Sequence, residues 1–75
     1  MNKARRQQLS KWLEELEEIK SELETICSDE EEYFDNIPEN LQSSERASDS
    51  EVAIDQMNEA VSLIDDAISC IEELV

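Results

Sequence analysis

From Leu9 onward, apolar side chains return at alternating steps of three and four residues: Leu9, Trp12, Leu16, Ile19, Leu23, Ile26, then Tyr33 and Ile37, with Glu30 as one polar interruption. Such a repeat keeps one face of a helix apolar and is incompatible with the strict alternation of a half-buried strand. The pattern resumes at Ile54, Met57, Val61, Ile64, Ile68, Ile71 and Val75. There is no glycine, and the one proline, Pro38, lies between the two runs. Nothing therefore interrupts either helix from within. The pattern predicts an all-α fold, an antiparallel two-helix coiled-coil hairpin occupying residues 1–75 as a single domain.

Local chemistry sets the expected boundaries. Pro38 disfavours helical geometry at Ile37, so the first helix is predicted over about 3–36. Asn36 and Glu39 have capping-box spacing, which places a short helical turn within a connection at 37–48. Ser48 and Glu51 repeat that spacing just before the second run, so the second helix is predicted over about 49–74. Ser28 and Glu31 match it too, but the apolar phase continues across them and the helix is read as unbroken.

Folding the chain back aligns the two runs into layers when paired residue numbers total 87. Tyr33 then faces Ile54, Glu30 faces Met57, Ile26 faces Val61 and Trp12 faces Val75. Each helix carries a further weakly apolar flank: Leu13, Cys27 and Phe34 on the first, Ala53, Ala60, Ala67 and Leu74 on the second. A two-helix seam does not need these flanks, so a second hairpin is expected, in a four-helix bundle dimer or a higher oligomer. The candidate oligomer interface is Leu9, Trp12, Leu13, Ala53, Ala60, Ala67 and Leu74. In this register the two flanks fall on opposite sides of the hairpin.

Charge narrows the functional classes. The 75 residues hold 21 acidic and 6 basic side chains and no histidine, for a net charge of −15. Lys3, Arg5, Arg6 and Lys11 lie at the N-terminus, leaving Lys20 and Arg46 as the only cations among residues 12–75. That surface repels nucleic acid and anionic lipid and attracts basic protein surfaces. Apolar runs are far too short for a membrane span, and a cytoplasmic protein is expected. Pairs such as Glu14 and Glu18, or Asp55 and Glu59, read as a solvated coat. Cys27 and Cys70 lie about 15 Å apart in the hairpin, too far for a disulfide, and no histidine activates either. No catalytic residue, cofactor or metal site is expected.

The segment YFDNIPENLQSSER, residues 33–46, exceeds the two to five residues a tight helix–helix connection requires. Tyr33, Phe34, Leu41, Gln42, Ser44 and Arg46 are therefore the candidate recognition residues, with Leu41 expected to cap the core and Arg46 to pair with an acid. Phe34, Asp35, Asn36, Ile37, Pro38, Glu39, Leu41, Gln42, Ser44 and Arg46 match an aromatic-Asp-Asn-Leu-Pro-Glu-x-Leu-Gln-x-Ser-x-Arg segment. In this the chain resembles a group of small acidic helical-hairpin proteins of bacteria and their phages. The resemblance implies that setting and nothing about catalysis.

The function expected is non-enzymatic: a phage- or mobile-element-type regulator or inhibitor, of the anti-defence kind, that docks on a basic host protein surface. Its acids, at about one net charge per 2 Å, approach the one per 1.7 Å of duplex DNA, so the rod could imitate nucleic acid. The alternatives are a structural oligomerisation module, and a small-molecule sponge whose inter-subunit pockets would hold an anion on Arg46 and helix-start amides near Tyr33, Phe34 and Ser44.

Overall fold

The structure, a computed structural model, describes residues 1–75. Helix α1 (Lys3–Asp35) leads through a 3-10 turn (Glu39–Leu41) into helix α2 (Glu45–Glu72), which packs back along α1. The chain is an all-helical hairpin, a rod with Cα extents of 59 × 14 × 13 Å. No helix is long and apolar enough to cross a membrane.

Asn2 starts α1: its Oδ1 accepts the backbone N–H of Arg5 at 2.8 Å, satisfying one of the free donors of the first turn. At the other end Asn36 caps α1 in right-handed geometry, φ −87° and ψ −4°, its N–H donating to Glu32 O and Tyr33 O. Helices commonly stop on a glycine with positive φ. This chain has no glycine and no residue with positive φ. It reverses instead through Pro38 and the 3-10 turn, closed by Leu41 N–H on Pro38 O at 2.8 Å. The length of the connection thus follows from composition, before any recognition role is invoked.

Helix α2 begins at Glu45, one turn earlier than the predicted start near residue 49, so the connection runs from Asn36 to Ser44. The cap is Ser44, whose Oγ accepts the N–H of Ala47 at 3.3 Å, while Ser48 lies inside the helix and its N–H donates to Ser44 O. Glu45 puts a carboxylate on the positive end of the helix dipole. The added turn is anchored by packing: Ala47 is fully buried and Ser50 is 3% exposed. The turn at Glu39–Leu41 forms as expected, but no side chain caps it.

The seam differs from the predicted one chiefly on α1. On α2 the buried or partly buried residues include Ile54, Met57, Val61, Ile64, Ile68 and Ile71, as the pattern requires; Val75 is exposed. On α1 and just beyond its end they are Leu9, Leu13, Leu16, Lys20, Leu23, Cys27, Glu30, Phe34 and Ile37. Every second predicted seam position has given way to the residue after it. Helix α1 is turned about 50° from the expected orientation, since one residue step is about 100° and the centre of the stripe moves by half of it. Trp12, Ile19, Ile26 and Tyr33 are left 46%, 51%, 57% and 42% exposed. The register also shifts slightly: Lys20 bonds Asp65 and Cys27 bonds Asn58, pairs whose numbers total 85. Trp12 and Val75, expected to face each other in a closing layer, are both exposed.

Two polar contacts accompany the rotation. Lys20 Nζ donates to Asp65 Oδ1 at 2.8 Å, and the small Cys27 lets the helices approach where Asn58 meets its thiol at 3.5 Å. Only Cys27, Ala47, Ser50 and Ile68 are buried. For 75 residues that is a thin core.

Candidate functional site

The loop end, one lateral face and the opposite lateral face of the rod are chemically distinct. At the loop end, the last turns of α1 and the first turns of α2 enclose a shallow open cleft of about 640 Å³ whose walls include Glu30, Tyr33, Arg46, Asp49, Ser50 and Ala53. Ser50 Oγ donates to Glu30 Oε1 at 2.9 Å, which gives the partly buried carboxylate a partner. Glu30 was expected opposite Met57; the earlier start of α2 brings Ser50 to it instead. A smaller recess of about 260 Å³ beneath the connection shares Tyr33 and Arg46 with the cleft and adds Ile37, Pro38, Leu41 and Ser44.

Four of the six sequence-predicted recognition residues, Tyr33, Leu41, Ser44 and Arg46, thus gather around the connection. Phe34 and Gln42 do not. Phe34 is partly buried against the hairpin, and the Gln42 amide donates to Ile37 O at 3.4 Å, closing the turn. Leu41 is 50% exposed, so it does not cap the core. Arg46 forms no ion pair, Lys20–Asp65 being the one salt bridge of the chain. The guanidinium shares its cleft with the carboxylates of Glu30, Glu45 and Asp49. An anion entering the cleft would meet three negative groups for one positive group, so the local field opposes an anionic ligand.

One lateral face is polar. Two turns along from the Lys20–Asp65 pair, the single S–H of Cys27 has two acceptors in reach, Asn58 Oδ1 at 3.5 Å and Glu31 Oε1 at 3.7 Å, in a shallow recess edged by Glu24, Ser28 and Val61. Desolvation, then the neighbouring Glu31 charge and hydrogen bond, push the Cys27 thiol above its ordinary value. The Asp65 hydrogen bond, opposed by desolvation and aided by the charges of Asp65, Glu24 and Glu17, raises Lys20. Both cysteines are free, Cys27 buried and Cys70 exposed. No group of three or more His, Cys, Asp or Glu is placed to hold a metal ion.

The opposite face carries what α1 leaves uncovered. Tyr33 and Ala53 line the same cleft, which fixes the heptad stripes through them, Trp12, Ile19, Ile26 and Tyr33 on α1 and Ala53, Ala60, Ala67 and Leu74 on α2, to one side of the hairpin. The alanine stripe was expected opposite the flank of α1. The rotation of α1 hides that flank in the seam and brings a larger stripe up beside the alanines. Of the predicted oligomer residues, Leu9 and Leu13 are partly buried within the hairpin, as are Ala53 and Ala60 at its edge, while Trp12, Ala67 and Leu74 are exposed. Ile19 and Ile26 had been assigned to the seam. The signal beside them is the apolar flank Leu13, Cys27 and Phe34, which gives the first and last heptads of the α1 stripe three apolar positions where a two-stranded seam takes two.

Comparison of the chain with known protein families, curated proteins and solved structures found no match.

Proposed function

We propose that this protein is a non-enzymatic binding protein that docks through its carboxylate coat on a basic protein surface of the kind that holds nucleic acid. One observation carries the reading. Of 21 acidic side chains only Asp65 is in a salt bridge and only Glu30 is partly buried, so 19 are exposed without a cationic partner in the chain and can meet cations outside it. Residues 12–75 hold a net charge of −19, and about 43 Å of the rod carries it, or roughly one charge per 2.3 Å. Duplex DNA has about one per 1.7 Å, and the rod's narrow cross-section suits a groove shaped for a duplex. The resemblance of residues 34–46 to small acidic helical-hairpin proteins of bacteria and their phages makes a bacterial DNA- or RNA-handling protein the first partner to test, with a regulator or inhibitor as the corresponding role. The open cleft at Arg46 takes no part in this reading.

The test is capture from a bacterial lysate on the tagged chain at low and high salt, followed by competition with duplex DNA. A basic nucleic-acid-handling protein should be retained at low salt, released at high salt and displaced by DNA. Neutralising the coat at Glu14→Gln, Glu18→Gln, Asp55→Asn and Glu59→Gln should weaken capture in steps. Affinity that is unchanged by salt or by these substitutions refutes the reading.

A further inference from the structure

We infer that the face bearing Trp12, Ile19, Ile26 and Tyr33 is covered by a second copy of this chain, related by a twofold axis crossing both helices at right angles near Glu22–Leu23 and Ser62–Leu63. This interface is independent of the acidic docking surface.

Exposure is the first observation. The three isoleucine and aromatic layers nearest the middle of α1 stand about half open while only four residues of the chain are buried. Small chains with so little core are ordinarily completed by another chain. The second observation is the absence of charge on the adjoining strip of α2. Between Ala53 and Leu74 that strip runs through Gln56, Ala60, Leu63, Ala67 and Cys70, all neutral, although the helix carries six acids elsewhere between Asp55 and Glu73. Leu63 is 61% exposed within it. Acids line the rest of the rod and avoid this strip.

Symmetry selects the occupant. A twofold interface must be complementary to itself, and both stripes must centre on one axis. The α1 stripe is centred between Glu22 and Leu23, and the α2 stripe between Leu63 and Ile64. The Lys20–Asp65 and Cys27–Asn58 contacts put Glu22 and Leu23 level with Leu63 and Ser62. The two centres therefore differ by one residue, about 1.5 Å along the rod. One axis serves both, setting Trp12 against the second copy's Tyr33 and Ile19 against its Ile26. The alanines at 53, 60 and 67 let the α2 helices approach closely.

Charge selects the direction. Hairpins related by this axis lie with their loops at opposite ends. The cationic start of α1, Lys3, Arg5 and Arg6, then reaches the loop end of the other copy, where Glu39, Glu45 and Asp49 lie. An axis along the rod would gather both cationic ends together and both acidic loop ends together. The area also suffices: a face about 40 Å long and about 20 Å wide offers about 800 Å² per copy, the size of a standard stable interface.

Glu15, Glu22 and Asp29 edge the α1 stripe and meet like charges across the axis, and each copy carries a charge of −15. Association therefore tightens as salt rises, the reverse of docking on a basic partner.

The test combines sedimentation equilibrium with a distance measurement on the full chain. A dimer is expected, with a dissociation constant that falls as salt is raised. Ile19→Glu or Ile26→Glu, each counted twice by symmetry, should raise that constant at least about 100-fold. Because either substitution could also cost the fold, spin labels at Gln7→Cys in a Cys27→Ser, Cys70→Ser background provide a readout on the folded dimer. The crossing axis places the labels about 46 Å apart along the rod. A folded monomer at all concentrations, a trimer or larger ring, or labels within about 25 Å of each other would overturn the inference.

Discussion

Ile68→Ala tests whether the seam is phased as observed. Ile68 is the one large aliphatic side chain that is buried, at 5% exposure, and it lies on α2 one turn before the end of the helix. Truncation removes three buried carbons, at about 0.8 kcal/mol each, so the transfer loss is about 2.4 kcal/mol. A residual cavity adds to this, but the site is close to the frayed open end, where the helices can close in, so about 2 to 3 kcal/mol in total is expected. A chain of this size has roughly 4 to 11 kcal/mol of stability to lose, so the variant should remain folded with a melting temperature lowered by about 10 to 20 °C. The control is Val52→Ala, at a position 57% exposed on the outer side of α2, where the change should stay within about 0.5 kcal/mol. Urea unfolding followed by circular dichroism, at one fixed protein concentration, measures both. Equal costs at the two sites would refute the phase of α2.

Three further outcomes follow from local chemistry. Ser44→Ala should cost about 1 kcal/mol by removing the acceptor for Ala47 N–H, whereas Ser48→Ala, inside the helix, should be neutral or slightly stabilising; thermal unfolding distinguishes a start at Glu45 from one at residue 49. In a dilute, monomeric sample Cys70 should react with a thiol reagent rapidly and Cys27 slowly, and Cys27 should become reactive only when unfolding exposes it, as read by reagent kinetics with and without urea. The raised pKa of Cys27 means the folded chain holds that proton more tightly than the unfolded chain does, so its contribution is present below the ordinary value of 9.0 and is lost as pH rises through the raised one. Lys20, raised from 10.5, acts in the same direction at higher pH, so stability should decline on the alkaline side, and Cys27→Ser should remove the earlier part of that decline in a pH series of unfolding curves.

Much of the architecture was readable because it depends on local rules. A heptad repeat without glycine leaves helix as the one economical conformation, and Pro38 ends the first helix wherever it occurs. The start of α2 was less readable because Ser44 and Ser48 offer competing caps four residues apart. Capping-box spacing favours Ser48 and Glu51, but the extra turn from Glu45 buries Ala47 and brings Ser50 to Glu30, a tertiary gain that a local motif cannot register. The segment from Tyr33 to Arg46 divides in the same way. Gln42 and Ser44 complete a glycine-free reversal, while Tyr33, Leu41 and Arg46 line the recesses around it.

The choice of seam on α1 has the largest functional consequence. Hydrophobicity ranks Trp12, Ile19, Ile26 and Tyr33 above Leu13, Lys20, Cys27 and Phe34, and a chain obliged to bury its apolar surface within one hairpin would follow that ranking. The observed seam takes the second set, with Lys20 reaching Asp65 and Asn58 lying 3.5 Å from the Cys27 thiol. Apolar burial alone does not favour that outcome, since it leaves the larger side chains in water. It becomes favourable when the first set has another surface to cover it. A helix with an apolar flank beside its seam can serve two interfaces, one with its hairpin partner and one across a twofold axis, and the sequence pattern alone does not tell which stripe serves which. Double substitution resolves the point: Ile19→Ser with Ile26→Ser should leave the unfolding of a dilute, monomeric sample within about 1 kcal/mol of the parent chain while abolishing the concentration dependence of its melting temperature. Loss of more than about 3 kcal/mol in the dilute sample would return both isoleucines to the hairpin seam, where the heptad alone had placed them.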